Sequence, residues 1–570
     1  MFRHALRIAS SCRRADYKAG IGLRHQSWPV VYVRIRALTG APLVTDTRSS
    51  TLGNDTIYAL SSGSGRAGIA VVRVSGPGCL DVYRGLCPTK APPKPRYAGV
   101  RTLFEPGFAH VPDANIVDSD SLILYFPGPR TVTGEDVLEL HVHGGSATVK
   151  AVLSAIAKCS SPAKIRYAEP GEFTRRAFLN GRLDLAQVES LGDTLAAETE
   201  QQRRAAVRGN SGVLGKTYEV WREQLLLARG EIEALIDFSE DQHFDESPAE
   251  LLTNVKAMVE QILHSIQLHK LGSQRSELLR HGVRIALLGP PNVGKSSLMN
   301  QIVGREASIV SSEAGTTRDV VEASLDIRGY LCSFADTAGI RTKSVSNPDE
   351  TPASTIGAIE EEGIRRARRK ALDSDVVIVL ASVEPTKGGG HRISYDTETL
   401  QLAAGAQQCL VAVNKSDVVS PETLERLIQD FKSSALESTP GLSGKEPLTI
   451  SCKAAASPPT PGLVDPGGVH GLTEKLVESF SHLTSLPGDM QHLLGVTERQ
   501  VQLLSETEKH LQDFLTAAQT GGPDGEADVV LAAEHLRLAA AQLAAITGRG
   551  ESGDVEEVLG VIFEKFCVGK

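Results

Sequence analysis

The segment Gly289-Pro290-Pro291-Asn292-Val293-Gly294-Lys295-Ser296 constrains this chain more than any other stretch. It has the spacing GxxxxGK followed by a hydroxyl residue, and it comes directly after the apolar run Val283–Leu288. A phosphate-binding loop requires that context, a strand before it and a helix after it. Its glycines let backbone N–H groups close around phosphates, its lysine reaches the β- and γ-phosphates, and its serine hydroxyl binds magnesium. Strands and helices alternate from Val283 to about residue 485, the signature of a parallel sheet.

Three later segments narrow the nucleotide. Asp336-Thr337-Ala338-Gly339 follows a strand about 40 residues on, placing a carboxylate near magnesium and a glycine N–H near the γ-phosphate. Asn414-Lys415-Ser416-Asp417 follows the strand Leu410–Val413. The Asp417 carboxylate can accept from guanine N1–H and the 2-amino group together, an arrangement adenine cannot supply. Ser451-Cys452-Lys453 stands where a loop backing guanine is expected. The candidate nucleotide contacts are therefore Asn292, Val293, Gly294, Lys295, Ser296 and Ser297 in the loop, with Thr316, Thr317, Asp336, Thr337, Ala338 and Gly339 in the switches. Asn414, Lys415, Asp417, Ser451, Cys452 and Lys453 complete them on the base side. In Gly315-Thr316-Thr317-Arg318-Asp319, Thr317 would add a second hydroxyl to magnesium and order with the γ-phosphate. Ile340 follows the glycine where signalling GTPases carry a glutamine. An aliphatic side chain cannot orient water, so another group must.

The 570 residues suggest three to five domains. With 41% hydrophobic and 23% charged residues the chain is not wholly disordered. No run approaches the roughly 18 uncharged apolar residues of a spanning helix, so no membrane span is expected. The first 50 residues hold nine Lys or Arg against Asp16 and Asp46; within a total of −9, that +7 leaves −16 on the rest. Such an Arg-rich, acid-poor leader reads as a mitochondrial transit peptide. The eight cysteines form no CxxC pair, which argues against a disulfide framework or structural zinc and fits a reducing matrix. The acidic remainder restricts any RNA contact to a local basic patch.

Strands at Asp55–Ser61, Ile69–Val74, Leu122–Phe126 and Val137–His143 define an α+β block over 54–180. From Leu183 to about Lys270 apolar residues recur three and four apart, and helical spacing returns from about residue 488. The expected organisation is a leader at 1–50, the α+β domain at 54–180 and a helical domain split into 181–275 and 488–570. A Ras-like GTPase domain at 282–487 is inserted between those two helical parts. Ser344–Ser354, Ser457–Gly471 and Thr520–Asp528 read as low-complexity loops. Gly63–Gly68 has the GxGxxG spacing but leads into a strand, so it is a turn rather than a dinucleotide fingerprint. Glu139, His141 and His143 share one strand face, yet neighbours on a straight strand converge poorly on one ion, which favours a polar ligand pocket over a metal.

On these motifs the chain resembles MnmE, the bacterial tRNA modification GTPase, in its mitochondrial form. The likeness covers DTIYAL, GRAGIAVVRVSG, TGEDVLELHVHGG, Pro170 through AFLNGRLDLAQVE, GPPNVGKSS, AGTTRD, DTAG and the terminal Phe566-Cys567-Val568-Gly569-Lys570. The resemblance implies an amino-terminal fold that binds a tetrahydrofolate derivative, the 5,10-methylene or 5-formyl form, through Arg73, Glu139, Arg182 and Lys570. It implies a catalytic glutamate at Glu360, with Glu361 or Glu362 as alternatives, and a potassium ion held by Asn292, Ser311, Glu313 and Thr316. Arg318 is the competing source of positive charge. Cys567 is either a buried thiol or a redox or covalent group near the folate. The partners implied are tRNA, an FAD-dependent MnmG-type subunit and a second copy of the chain as a homodimer. The implied activity is GTP hydrolysis in modification of C5 of a wobble uridine, of the carboxymethylaminomethyl or taurinomethyl type, in the matrix. The alternative is a ribosome-assembly GTPase acting as an RNA-binding switch.

Overall fold

The computed structural model describes residues 54–107, 115–238, 248–310, 324–334, 373–386, 389–457, 465–519 and 528–549. The leader, Ser311, Glu313, Thr316, Thr317, Arg318, Asp336, Thr337, Ala338, Gly339, Ile340, Ser344–Ser354, Glu360, Cys567 and Lys570 lie outside the described residues.

The amino-terminal region contains β1 (Thr56–Leu60), β2 (Ile69–Ser75), α1 (Cys79–Leu86), β3 (Gly99–Phe104), β4 (Ile116–Phe126), β5 (Val137–His143), α2 (Ser146–Ala157), β6 (Ile165–Tyr167) and α3 (Glu172–Leu179). The sheet order is β3-β4-β5-β2-β1-β6, antiparallel except where β6 lies parallel to β1. Alternation decides its faces. Ala70, Val72 and Val74 of β2 and Leu138, Leu140 and Val142 of β5 are buried in one core with α1 and α2. Arg73, Glu139 and His141 point to the other side, which Phe173 of α3 covers only at the β1 end, over Ile57 and Ala59. Strand β4 begins six residues before the expected Leu122. Its early half is polar and hides from hydropathy; Asp118 is buried because Ser121 Oγ and the His143 backbone N–H both donate to it.

Helices α4 (Leu185–Ala196), α5 (Glu200–Gly209), α6 (Val213–Phe238) and α7 (Pro248–His281) follow. Asp184 and Gln187 close a capping box at the start of α4. Helix α7 passes the expected end near Lys270 and stops only at Gly282, φ +88°. Gly272 within it is a packing contact, since a Cβ there would lie 2.6 Å from Leu493 Cβ.

The next region holds β7 (Val283–Leu288), α8 (Lys295–Gln301), β8 (Ala307–Ile309), β9 (Ser324–Ile327), β10 (Tyr330–Phe334), β11 (Val376–Pro385), β12 (His391–Ser394), α9 (Thr397–Ala404), β13 (Gln408–Asn414), α10 (Pro421–Phe431), β14 (Leu448–Thr449) and α11 (Val469–Thr484). The order is β14-β13-β11-β7-β10-β9-β8, with β12 paired to β11. The five strands from β14 to β10 are mutually parallel. Buried on both faces, β11 reads as an unbroken apolar run from Val376 to Ala381. One face packs Ala286, Val377 and Val411 with Leu400 and Phe431. The other packs Ile285, Ile378 and Ala412 in a core continuous with Tyr218, Ile262 and Phe480.

Helices α12 (Glu498–Ala517) and α13 (Val529–Thr547) come last. Helix α13 packs along α6 and α12, and α12 against α7, so helices on either side of the sheet in sequence are neighbours in space. Lys270 Nζ donates to Glu508 at 2.7 Å, and Gln500 Nε2 to Glu189 at 2.7 Å. Among the described residues α13 alone is long and apolar enough to cross a membrane. It carries Glu534 and Arg537 and buries Ala532, Leu536 and Leu543 in the protein core.

Candidate functional site: a phosphate loop and its base-side supports

The loop 289–294 leaves the carboxyl end of β7, the strand at which the sheet order turns between β10 and β11. Ligands of open parallel sheets bind at such a point. Asn292 is exposed with φ +63°, and Gly294 has φ +100°, so the loop curls before α8 begins. A side chain at Gly294 is excluded twice, by φ and by Asn414 Nδ2, which would lie 2.2 Å from its Cβ. Lys295 Nζ donates to Gly289 O at 2.7 Å and Pro290 O at 2.8 Å, which holds its positive charge inside the curl. Ser296 and Ser297 are exposed at the start of α8.

The base side is tied to this loop by one amide. Asn414, 3% exposed, donates from Nδ2 to Val293 O at 2.8 Å and accepts at Oδ1 from Cys452 N–H at 3.1 Å. One N–H and one lone pair of its carboxamide thus tie the phosphate loop to the base-side turn. Asp417 accepts from Ser451 Oγ at 2.6 Å through Oδ1, while Ser416 N–H donates to Ile450 O at 3.1 Å. Lys415, at φ +62°, reaches back to Glu384, whose carboxyl the ammonium holds below its ordinary range; Ser382 Oγ also donates to it at 2.9 Å. Burial pushes the Cys452 thiol up to about 11, so the residue serves through its backbone N–H and not as a nucleophile. Lys453 follows it in the short turn Cys452–Ala455.

The expected loop Ser457–Gly471 is corrected at its far end. Ser451 N–H donates to Gly467 O at 2.8 Å, and α11 starts at Val469. A Cβ on Gly467 would meet Ala455 Cβ and Ser451 O at 2.5 Å, so this stretch is a support for the base-side loop. Sequence reading missed Gly467, Ser382 and Glu384; the Gly467-Gly468 pair was the available signal.

In the amino-terminal region β2 and β5 pair with Arg73 opposite Glu139. Arg73 donates to Glu139 Oε1 from Nη2 at 2.9 Å and Nε at 3.1 Å, and His141 Nε2 lies 3.4 Å from Oε2. Arg182 is exposed and donates from Nε to Thr131 O at 2.9 Å. The structure therefore joins Arg73 and Glu139 directly and anchors Arg182 separately. A buried ion network was also missed: Arg176, fully buried, bonds Asp55, Glu135 and Glu172, and Arg166 bonds Asp55 and Glu172. Burial raises the Glu172 carboxyl, but Arg166, the Glu169 N–H and Arg176 outweigh it and hold the group below its usual range.

A glycine-curled loop at the switch point, an internal lysine and a base-side triad of loops define a P-loop nucleotide-binding protein, and GTP is its nucleotide. Residues 56–182 match the family model for the GTP-binding protein TrmE N-terminus, and residues 185–567 match the MnmE helical domain. The chain belongs to the MnmE (TrmE) family. It is 39% identical to the 5-taurinomethyluridine-tRNA synthase subunit GTPB3, mitochondrial, of Danio rerio, over 91% of this chain and 94% of that one. It is 37% identical to the tRNA modification GTPase MnmE of Rhodopseudomonas palustris, covering 90% and 99%. With the tRNA modification GTPase MSS1, mitochondrial, of Saccharomyces cerevisiae it shares 34% over 91% and 94%. The G domain of the T. maritima FeoB iron transporter is similar at 20% identity over 35% of this chain and 98% of its own, with a TM-score of 0.19.

Proposed function

We propose that this chain is the GTP-hydrolysing subunit of a mitochondrial system that modifies C5 of wobble uridines in tRNA. The carrying observation is the Asn414 amide, which links the phosphate loop to the Ser451–Cys452 turn beside Asp417. One nucleotide can then be gripped at both ends, with Asp417 choosing guanine. The names of the zebrafish and yeast relatives support the tRNA substrate class and the mitochondrial setting.

Finer assignments extend that reading. The domains run 54–180, 181–275 with 488–570, and an inserted GTPase domain at 282–487; support comes from α6 and α7 packing on α13 and α12. Ser296 and Thr317 would hold magnesium, which neutralises charge on the phosphate oxygens. The exposed, left-handed Asn292 suits a monovalent cation, potassium, with Ser311, Glu313 and Thr316. Glu360 would orient the attacking water. Arg73, Glu139, Arg182 and Lys570 would hold a tetrahydrofolate derivative, the one-carbon donor. The partly open Arg73–Glu139 pair fits, because a pterin amide and amino edge can take the carboxylate oxygens while cations hold the glutamyl tail. The partners are an FAD-dependent MnmG-type subunit and a second copy of the chain.

The test is reconstitution from purified chain, GTP, methylenetetrahydrofolate, the flavoprotein and unmodified tRNA, with each omitted in turn. Mass spectrometry of the wobble nucleoside is expected to show product only in the complete mixture. Product formed without this chain, or without GTP, would end the reading.

A further inference from the structure

Helices α12 and α13 form an antiparallel hairpin, closed where Asp528 N–H donates to Ala517 O at 3.2 Å. His510 stands seven residues before Ala517, and His535 seven after Asp528. Both are therefore about 10 Å from the closed end and face each other. Their ring centroids are 6.0 Å apart. Asp513 lies three residues from His510, on the same face of α12. One ligand atom from each of the three residues lies within 4.8 Å of the others.

The polar accounting here does not close. Nδ1 of His510 and Nδ1 of His535 are both shielded from solvent, and neither has a hydrogen-bond partner among the described residues. Buried polar atoms are nearly always paired, and two orphans beside one carboxylate call for a shared ligand. We propose that His510, Asp513 and His535 form a binding site for a divalent transition metal, zinc first, which clasps α12 to α13. Two imidazoles and a carboxylate suit zinc and similar ions better than magnesium or calcium, which prefer all-oxygen shells. Ligand atoms around tetrahedral zinc lie about 3.3 Å apart at bond lengths of about 2.0–2.1 Å. The three groups, within 4.8 Å of one another, would close to that spacing on binding. The hairpin is remote in sequence from the phosphate loop.

The experiment uses the full chain, stripped with chelator and kept in excess magnesium, with cobalt and zinc as probes. Cobalt is expected to bind one equivalent with the visible absorption of a low-coordinate nitrogen and oxygen site. Zinc is expected to raise Tm by about 5 °C, the scale of a few kcal/mol from a ligand well above its Kd. The His510→Gln, His535→Gln chain should lose both effects while keeping its helical circular dichroism and GTP turnover. If that double variant fails to fold, Asp513→Asn serves instead, with an expected affinity loss of about tenfold or more. No cobalt spectrum in the wild type, or an equal zinc shift in the folded variants, overturns the proposal and leaves a bridging water as the partner of the two nitrogens.

Discussion

The phosphate-loop site lies at the strand ends of one sheet and the Arg73–Glu139 array on the face of another, and they are built differently. The first is assembled from backbone loops, and the buried Asn414 amide ties two of them together. The second is assembled from side chains on paired strands, and its ion pair stays partly open to solvent. A loop site is preorganised before ligand arrives, whereas on the proposed reading a ligand at Glu139 would share its carboxylate with Arg73 and His141. The lesson is that one site depends on fixed backbone and the other on a shared carboxylate.

The largest expected effect lies in the first site. On the proposed reading Asp417→Ala would remove two charge-assisted hydrogen bonds to guanine, each worth about 1.5–3 kcal/mol. GTP affinity should fall about 1000-fold with little change for ATP, measured by calorimetry. An equal loss for both nucleotides would mean that Asp417 supports the loop rather than reading the base.

Next is the network that holds the amino-terminal region in shape. Arg176→Met leaves Glu135 without its arginine and Asp55 and Glu172 with Arg166 alone, a loss on the scale of about 1–3 kcal/mol. Chemical denaturation should show the drop, and unchanged stability would remove the network's structural role. Acid gives the same test without mutation. Burial raises the Asp55 and Glu172 carboxyls, but their arginines hold both below the ordinary values of 3.8 and 4.5. The stabilisation is then complete above about pH 4.5 and is lost as pH falls through the depressed values. In Arg176→Met the folded-state values are less depressed, so the acid-dependent loss should be smaller and should end at higher pH.

The smallest effects separate the two sites most sharply. Asn414→Ala leaves Val293 O and Cys452 N–H unpaired and should weaken GTP binding about 10–100-fold, the scale of one to two lost buried bonds. Folate affinity should stay as it was. Arg73→Ala should do the reverse, weakening folate about 10–100-fold while GTP turnover persists in the isolated protein. A variant that lowers both affinities would mean that the two regions are coupled.

Much of the first site was legible because its chemistry runs along the chain. The loop 289–296, Asn414–Asp417 and Ser451–Lys453 are short segments whose backbone conformation is set by residues within them. What escaped reading there was support from afar, Gly467 behind Ser451 and Glu384 beside Lys415. Arg73 and Glu139 were legible only through family resemblance, being 66 residues apart in sequence. The Arg176 network was invisible because a surface salt pattern and a buried one look alike in sequence.

Local sequence thus decided the curled phosphate loop, the period-two faces of β2 and β5 and the apolar run Val376–Ala381 of β11, because each depends on neighbours within a few residues. Tertiary structure alone decided that Asn414 bridges two loops, that Arg73 lies opposite Glu139 and that α13 returns along α6 to bring His535 beside His510. These pairings follow from strand order and helix packing. Many distant contacts fix that geometry together, and no short segment specifies it.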